Sequence, residues 1–250
     1  MSITFQGRAA LVTGAARPRG IGRATALRLA EGGADVACLD IAGPYAEAPA
    51  HATANAGDLR DVVERIEALG TITLVANVAG GSGPGFGVGP LVDLPEPEFR
   101  RVLDVNVVGT WLVSRACASR MVAAGTGGRI CNVSSQAGKR AFPFLGAYSA
   151  AKAAVILLTQ ALALELGPAG IAVNAVCPGT VDTDLVNPNG MLEQLMGGPD
   201  GLARFVEREI PLRRLQTAGE IAAAICWLLS EDAAAVTGEA VNASAGQTMV

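Results

Sequence analysis

Tyr148 and Lys152 stand four positions apart in Tyr148-Ser-Ala-Ala-Lys152, within an apolar helical pattern running from Ala147 to Gly167. Four residues make about one helical turn, so the phenol and the ammonium share a face. The pair is unusual for this composition. Of 19 basic residues only Lys139 and Lys152 are lysines, and the chain has two tyrosines. A Tyr-x-x-x-Lys pair arises in about 2% of shuffles of such a chain. A free phenol ionises near pH 10, and a neighbouring cation favours the phenolate. Tyr148 beside Lys152 therefore suits proton exchange with an alcohol or carbonyl oxygen near neutral pH.

Other chemistries have little to work with. His51 is the only histidine, which argues against Ser-His-Asp hydrolysis and against a Cys/His zinc site. The five cysteines, Cys38, Cys117, Cys131, Cys177 and Cys226, form no CxxC pair and sit in apolar runs, as buried reduced thiols do. Net charge is −4, and no basic stripe interleaves with aromatics, so nucleic acid is not an expected partner. The N-terminal residues do not read as a signal peptide. The most apolar stretch, Ala153 to Leu166, is broken by Thr159, Gln160 and Glu165 and reads as too short to span a bilayer. No membrane partner and a cytoplasmic location are the expectation.

The elements that must position the pair follow from short apolar runs alternating with longer helical patterns. Strands are expected at Ala9–Gly14, Asp35–Asp40, Thr73–Asn77, Gly128–Val133, Ile171–Cys177 and Glu239–Asn242. Helices are expected at Ile21–Glu31, Glu98–Ala124, Ala147–Gly167 and Ala218–Ser230. Half of the residues are hydrophobic but only 4% aromatic, which suits close contacts between helices and buried parallel strands. The fold class is α/β, a doubly wound, mostly parallel sheet of about seven strands with helices on both faces, in a single domain spanning 1–250. Gly80 to Pro90 must be loop. Asn187 to Arg214 reads as one or two short helices over a cleft.

The first strand runs into Thr13-Gly-Ala-Ala-Arg-Pro-Arg-Gly-Ile-Gly22 and then a helix. Gly14, Gly20 and Gly22 let backbone amides approach a pyrophosphate, whose charge the helix N-terminus at Ile21 favours. Asp40 ends the second strand, 20 residues after Gly20, where a carboxylate can accept both hydroxyls of an adenosine ribose. It would repel a 2′-phosphate, which points to NAD. Arg17 and Arg19 in the glycine loop are the competing observation, since either could pair with that phosphate. Like-charge contact at the ribose should outweigh them.

With these motifs in order, the sequence resembles the short-chain dehydrogenase/reductase family over nearly its whole length. The motifs are the glycine loop, Asn77-Val-Ala-Gly80, Asn106, Ser134-Ser135, Tyr148-x-x-x-Lys152 and Pro178-Gly-Thr-Val-Asp-Thr183. The resemblance implies a catalytic set of Asn106, Ser135, Tyr148 and Lys152. Ser135 would hydrogen-bond the reacting oxygen. Lys152 would hold the nicotinamide ribose and lower the pKa of Tyr148, and Asn106 would hold a water leading to solvent. It further implies cofactor contacts at Ile41, Asp58, Leu59, Asn77, Ala79, Gly80, Pro178, Gly179, Val181 and Thr183. Departures are Val78 for a second asparagine, five residues between Gly14 and Gly20 where three are usual, a shortened helix around Asp61 to Leu69, and Ala243-Ser-Ala-Gly246 for Asp-Gly-Gly.

The expected activity is NAD(H)-dependent interconversion of a secondary alcohol and a ketone by hydride transfer. The alternatives are an NADPH-dependent ketoreductase of 3-oxoacyl or polyketide-type substrates, and a catalytically inactive nucleotide-binding scaffold. The substrate would be a small-molecule alcohol or ketone. Pocket walls are expected from Gly81 to Pro90, Gln136 to Leu145 and Asp184 to Arg214, mainly apolar through Phe142, Phe144, Leu145, Met191, Leu192, Leu195 and Met196. Arg140 could meet an anionic group or be a surface charge. The resemblance also implies a homo-oligomer, tetramer or dimer.

Overall fold

The computed structural model describes residues 3–40, 53–55, 71–187 and 190–250. His51, Ile41, Asp58, Leu59 and the helix expected around Asp61 to Leu69 lie outside the described residues. Seven strands form the main sheet: β1 (Ala9–Thr13), β2 (Asp35–Asp40), β3 (Thr53–Asn55), β4 (Ile72–Asn77), β5 (Gly128–Val133), β6 (Ile171–Pro178) and, after a separate pair, β9 (Ala240–Ala243). Their order is β3-β2-β1-β4-β5-β6-β9, and every ladder is parallel. The chain leaves β1 towards one edge and returns to β4 on its other side, so the order reverses between β1 and β4. In such sheets ligands bind beyond the carboxyl ends of the strands at this reversal. The separate two-stranded pair joins β7 (Val181–Asp182) to β8 (Gln216–Thr217).

Alternation along the strands explains the two layers. Ala10 and Val12 of β1 face a core built with α1 (Ile21–Glu31) and the last helix. Leu11 faces the opposite core, where Val75, Ile130 and Val173 of neighbouring strands join it. With both faces covered, the strands are mostly apolar. The helices after α1 are α2 (Glu96–Leu103), α3 (Gly109–Ala124), α4 (Gly146–Leu166), α5 (Met191–Leu195), α6 (Pro199–Glu209) and α7 (Ala218–Leu229). α3 and α4 cover the Leu11 side through Val113, Cys117, Met121 and Leu162, while α7 covers the other with Ile221, Ile225 and Leu228. α7 starts with a capping box: Thr217 Oγ1 accepts from Glu220 N at 3.2 Å while Thr217 N donates to Glu220 Oε2 at 2.9 Å. All five cysteines are buried and unpaired.

Two expectations change. The helix expected over Glu98–Ala124 is instead α2 and α3 joined by a π-turn at Asp104–Val108. That widened turn draws the whole Asn106 side chain inward. The apolar stretch expected to be too short for a bilayer belongs to a longer helix. Gly146–Ala169, 24 residues holding an 18-residue window of mean hydropathy 1.5, is long and apolar enough to cross one by length and composition. Its placement gives that apolarity another use, because Ala147, Ala151, Val155 and Leu162 are buried while Leu157 and Leu164 are exposed.

A buried polar chain crosses this side of the sheet. Asn77 Nδ2 donates to Ser114 Oγ of α3 and to Asn132 Oδ1 of β5, each at 2.9 Å. Asn132 Nδ2 then donates to Thr159 Oγ1 of α4 at 2.9 Å. Buried amides stay in a core only when so partnered, and this chain holds the carboxyl ends of β4 and β5 against the two helices that carry the candidate site.

Candidate active site

β5 ends at Val133 and runs into Ser134 and Ser135, which face α4. The Lys152 ammonium is 2% exposed and donates to the Val133 carbonyl at 2.8 Å. Its Nζ lies 5.6 Å from the centroid of the Tyr148 ring, as the one-turn spacing requires. The two serines divide their work. Ser134 Oγ donates to the Lys152 carbonyl at 2.7 Å and so braces α4 itself. Ser135 caps a short 3-10 turn, accepting from Ala137 N at 3.1 Å, and its hydroxyl lies beside the Tyr148 phenol. Of the adjacent pair, Ser135 is therefore the one beside the phenol.

Asn106 enters from the π-turn. Its Oδ1 accepts from Gly81 N and its Nδ2 donates to Gly81 O and Val102 O, all at 2.9 Å. Gly80 sits between this amide and the lysine: a Cβ there would lie 2.6 Å from Asn106 Oδ1 and 3.1 Å from Lys152 Nζ. A side chain at Gly80 would force the two groups apart. The structure thus brings Asn106, Ser135, Tyr148 and Lys152 together at the carboxyl ends of β4 and β5.

Burial dominates the electrostatics of this centre. It pushes the Tyr148 phenol up to about 12, with the Ser135 hydroxyl pulling the other way. It pulls the Lys152 ammonium down to about 8, partly offset by the Cys177 thiol. This corrects the expectation that Lys152 lowers the pKa of Tyr148. Removal from water penalises phenolate and ammonium alike, and Lys152 is not among the groups that shift Tyr148.

The glycine loop packs against the same strand ends. Gly14 has φ +71°, and a Cβ there would lie 2.8 Å from the Ala79 backbone. A Cβ on Gly22 would meet Gly14 O at 2.3 Å, so α1 can approach the loop only through glycine. Gly20 caps α1, and the first turn, from Ile21, has neither a side-chain cap nor an acidic residue. Those N–H groups and the positive end of the helix dipole suit a pyrophosphate. Thr13 Oγ1 accepts from both Val78 N and Ala79 N at 3.0 Å, fixing the chain that leads to Gly80.

Asp40 stands at the end of β2, and its Oδ2 accepts from Ala16 N at 2.7 Å, bracing the enlarged loop. The same enlargement turns Arg19 towards the segment after β7. Arg19 N donates to Asp184 Oδ2 at 2.8 Å and its Nε to Asp184 Oδ1 at 2.9 Å. Arg17 Nη1 reaches the Asp184 carbonyl at 3.4 Å. Next to Asp184, Leu185 covers Gly81: a Cβ on Gly81 would lie 2.8 Å from Leu185 Cδ2. The far wall is Pro178–Thr183, where Thr183 Oγ1 accepts from Val186 N at 3.3 Å. Arg140 stacks on Phe142 at 4.5 Å, and Leu192 of α5 is buried.

The arrangement has clear relatives. Residues 14–248 match a family described as enoyl-(acyl carrier protein) reductase. A short-chain dehydrogenase/reductase of Armillaria gallica is 36% identical over 255 residues, covering 96% of each chain. The chain belongs to the short-chain dehydrogenase/reductase family. Another of its relatives, an uncharacterized NAD-dependent oxidoreductase of Mycobacterium tuberculosis, is 34% identical over 267 residues, covering 97% of this chain and 96% of that one. Among solved structures, carveol dehydrogenase from Mycobacterium avium in complex with NAD superposes with a TM-score of 0.86 at 30% identity, covering 98% and 99% of the two chains.

Family motifs reveal their residues through short spacings, but this member also depends on contacts that no spacing announces. The Arg19–Asp184 pair, the Thr13 brace and two glutamines behind Pro178–Thr180, Gln216 and Gln247, join residues far apart in sequence. Only the Thr13-Gly14 junction carried a local signal.

Proposed function

We propose that this chain is an NAD(H)-dependent oxidoreductase that interconverts a small secondary alcohol and its ketone. The observation that carries the proposal is the convergence of Ser135, Tyr148, Lys152 and Asn106 about Gly80, beside a glycine loop that leads into the uncapped first turn of α1. The cofactor, when bound, supplies or accepts the hydride. In reduction Tyr148 donates its proton to the substrate oxygen, and in oxidation it removes the hydroxyl proton. Ser135, beside Tyr148, orients that oxygen. Lys152 keeps one of its three protons on the Val133 carbonyl and turns the others to the nicotinamide ribose and the phenol. Asn106 holds Gly81 and through it the approach to Lys152.

Asp40 at the end of β2 supports NAD over NADP, because its charge would face a 2′-phosphate. The engagement of Arg19 by Asp184 further supports this choice. Leu185, Phe142 and Leu145 support an apolar substrate, and the carveol dehydrogenase likeness points the same way. Buried unpaired thiols support a reducing, cytoplasmic setting. Half-exposed Trp111 on α3, with exposed Leu157 and Leu164 on α4, supports self-association through these helices.

Tyr148→Phe tests the proposal. Turnover of a confirmed alcohol should fall by about 10²–10⁴-fold with NADH binding retained, the range for losing a positioned proton donor. Retention of most of the turnover would overturn it. A second reading, NADPH-linked reduction of a 3-oxoacyl substrate, draws on the description of the matched family. Tighter binding of NADPH than of NADH in a fluorescence titration would favour it.

A further inference from the structure

The turn after β6 carries two backbone N–H groups directed into the protein, and each ends on a buried glutamine. Gly179 N donates to Gln216 Oε1 at 3.0 Å and shares Ala243 O at 3.3 Å. Thr180 N donates to Gln247 Oε1 at 2.7 Å. Gln216 is 5% and Gln247 8% exposed. Their oxygens crowd Gly179 so closely that a Cβ there would lie 2.4 Å from Gln247 Oε1, 2.7 Å from Gln216 Oε1 and 2.9 Å from Ser244 O.

The Gln216 amide is not free to turn, and the Gln247 backbone is held in place. Gln216 Nε2 donates to the Ala243 carbonyl, so rotating the amide would exchange two bonds for two repulsions. Gln247 belongs to a tight turn in which Ser244 Oγ donates to Thr248 O at 3.0 Å and accepts from Thr248 N at 3.2 Å. Thr248 Oγ1 then donates to Gln136 Oε1 at 3.3 Å, and Gln136 follows Ser135 directly. A buried polar chain therefore runs from beside Ser135 to the turn that walls the cleft. Apolar packing could hold the Cα positions of this turn. Only acceptors at its N–H groups fix the tilt of its peptide planes.

We propose that Gln216 and Gln247 are positioning residues for hydride transfer, setting the Pro178–Gly179 and Gly179–Thr180 peptide planes and through them the wall against which the nicotinamide lies. The inference rests on the cofactor reading above. A displacement of about 1 Å at a reacting centre can lower the rate by about 10²-fold, so their loss acts on the nicotinamide half of the cofactor and leaves the adenosine half in place.

The test uses the full chain with Gln247→Leu, which removes the acceptor at similar volume, and Gln247→Glu, which keeps it. Binding of NADH and of ADP-ribose is measured with kcat, KM and the isotope effect from 4-deuterated NADH. For Gln247→Leu, ADP-ribose affinity should stay within twofold. The NADH-to-ADP-ribose affinity ratio and kcat should each fall at least tenfold, and the isotope effect should rise. Gln247→Glu should restore the ratio to within threefold. If Gln247→Leu does not fold, Gln216→Met reads the same quantities at the neighbouring plane. Equal losses for NADH and ADP-ribose, unchanged kinetics, or failure of Gln247→Glu to rescue would each overturn the proposal. A parent chain that binds no NADH would overturn the cofactor reading, and the positioning role with it.

Discussion

Asp184→Ala should open the cofactor cleft. Asp184 receives two bonds from Arg19 across that cleft, one from the backbone N at 2.8 Å and one from Nε at 2.9 Å. The side chains are 54% and 26% exposed, so solvent weakens the ion pair to about 0.5–1 kcal/mol. A backbone N–H on a carboxylate adds about 1 kcal/mol. Together they give about 1.5–2 kcal/mol, or a factor of roughly 10–30 in rate if the loops must part for the cofactor to leave. Stopped-flow displacement of NADH should therefore show about 10–30-fold faster release from Asp184→Ala. Arg19→Ala keeps the backbone bond but also loses the Nη2 contacts with Asp182 Oδ1 at 3.4 Å and Asn187 O at 3.2 Å, and should accelerate release about 5–10-fold. Raising ionic strength should bring the parent closer to Arg19→Ala, because surface pairs are screened. Unchanged release from Asp184→Ala, or faster release from Arg19→Ala than from Asp184→Ala, would refute the reasoning.

Lys152→Met should alter how stability varies with pH. The fold lowers Lys152 from 10.5 to about 8, so between those values the unfolded chain binds a proton that the folded chain has released. Stability from this group therefore rises with pH across that window, by at most about 1.4 kcal/mol per unit. Urea midpoints at pH 7.5, 8.5 and 9.5 should show the advantage of Lys152→Met shrinking with pH, while the buried thiols, raised by burial and acting oppositely above pH 9, cancel in the comparison. Gly22→Ala places a methyl against Gly14 O, and overpacking of about 1–3 kcal/mol should lower Tm by several degrees and abolish NADH binding, both readable in one thermal-shift titration. Asn132→Leu breaks the amide chain from Asn77 to Thr159 and should lower stability by about 1–3 kcal/mol, measured by denaturant unfolding.

The sheet and its helices were legible because both depend on short-range pattern. Ala9–Thr13 and Ile72–Asn77 are mostly apolar, which buried parallel strands require, and Ile21 to Glu31 is closed by Gly32-Gly33. The Tyr148–Lys152 pair was legible because one helical turn joins the two side chains. The edge strand β3 was not, since three residues pairing with Cys38–Asp40 carry no periodicity of their own. Nor was the π-turn at Asn106, because a single widened turn leaves the helical pattern on either side intact. The direction of the Tyr148 shift was missed for a different reason: spacing reports that a cation is near, while burial depends on everything else packed around it. Arg17 and Arg19 read as candidates for a phosphate, and only the folded chain shows Asp184 meeting Arg19 from 165 positions away.

The all-parallel order also bears on how quickly the protein can form. Among the described residues no ladder of the main sheet is a hairpin. Ala10 of β1 lies beside Leu74 of β4, Leu74 beside Arg129 of β5, and Ala175 of β6 beside Ala240 of β9. Each pairing must close a long loop before its contacts repay the lost entropy, which makes assembly slow and leaves apolar strand edges uncovered meanwhile. β1 suffers most, because it is made first and its second neighbour arrives only after α1, β2 and β3. Refolding at high protein concentration should therefore lose material to aggregation from chains whose β1 still waits for β4.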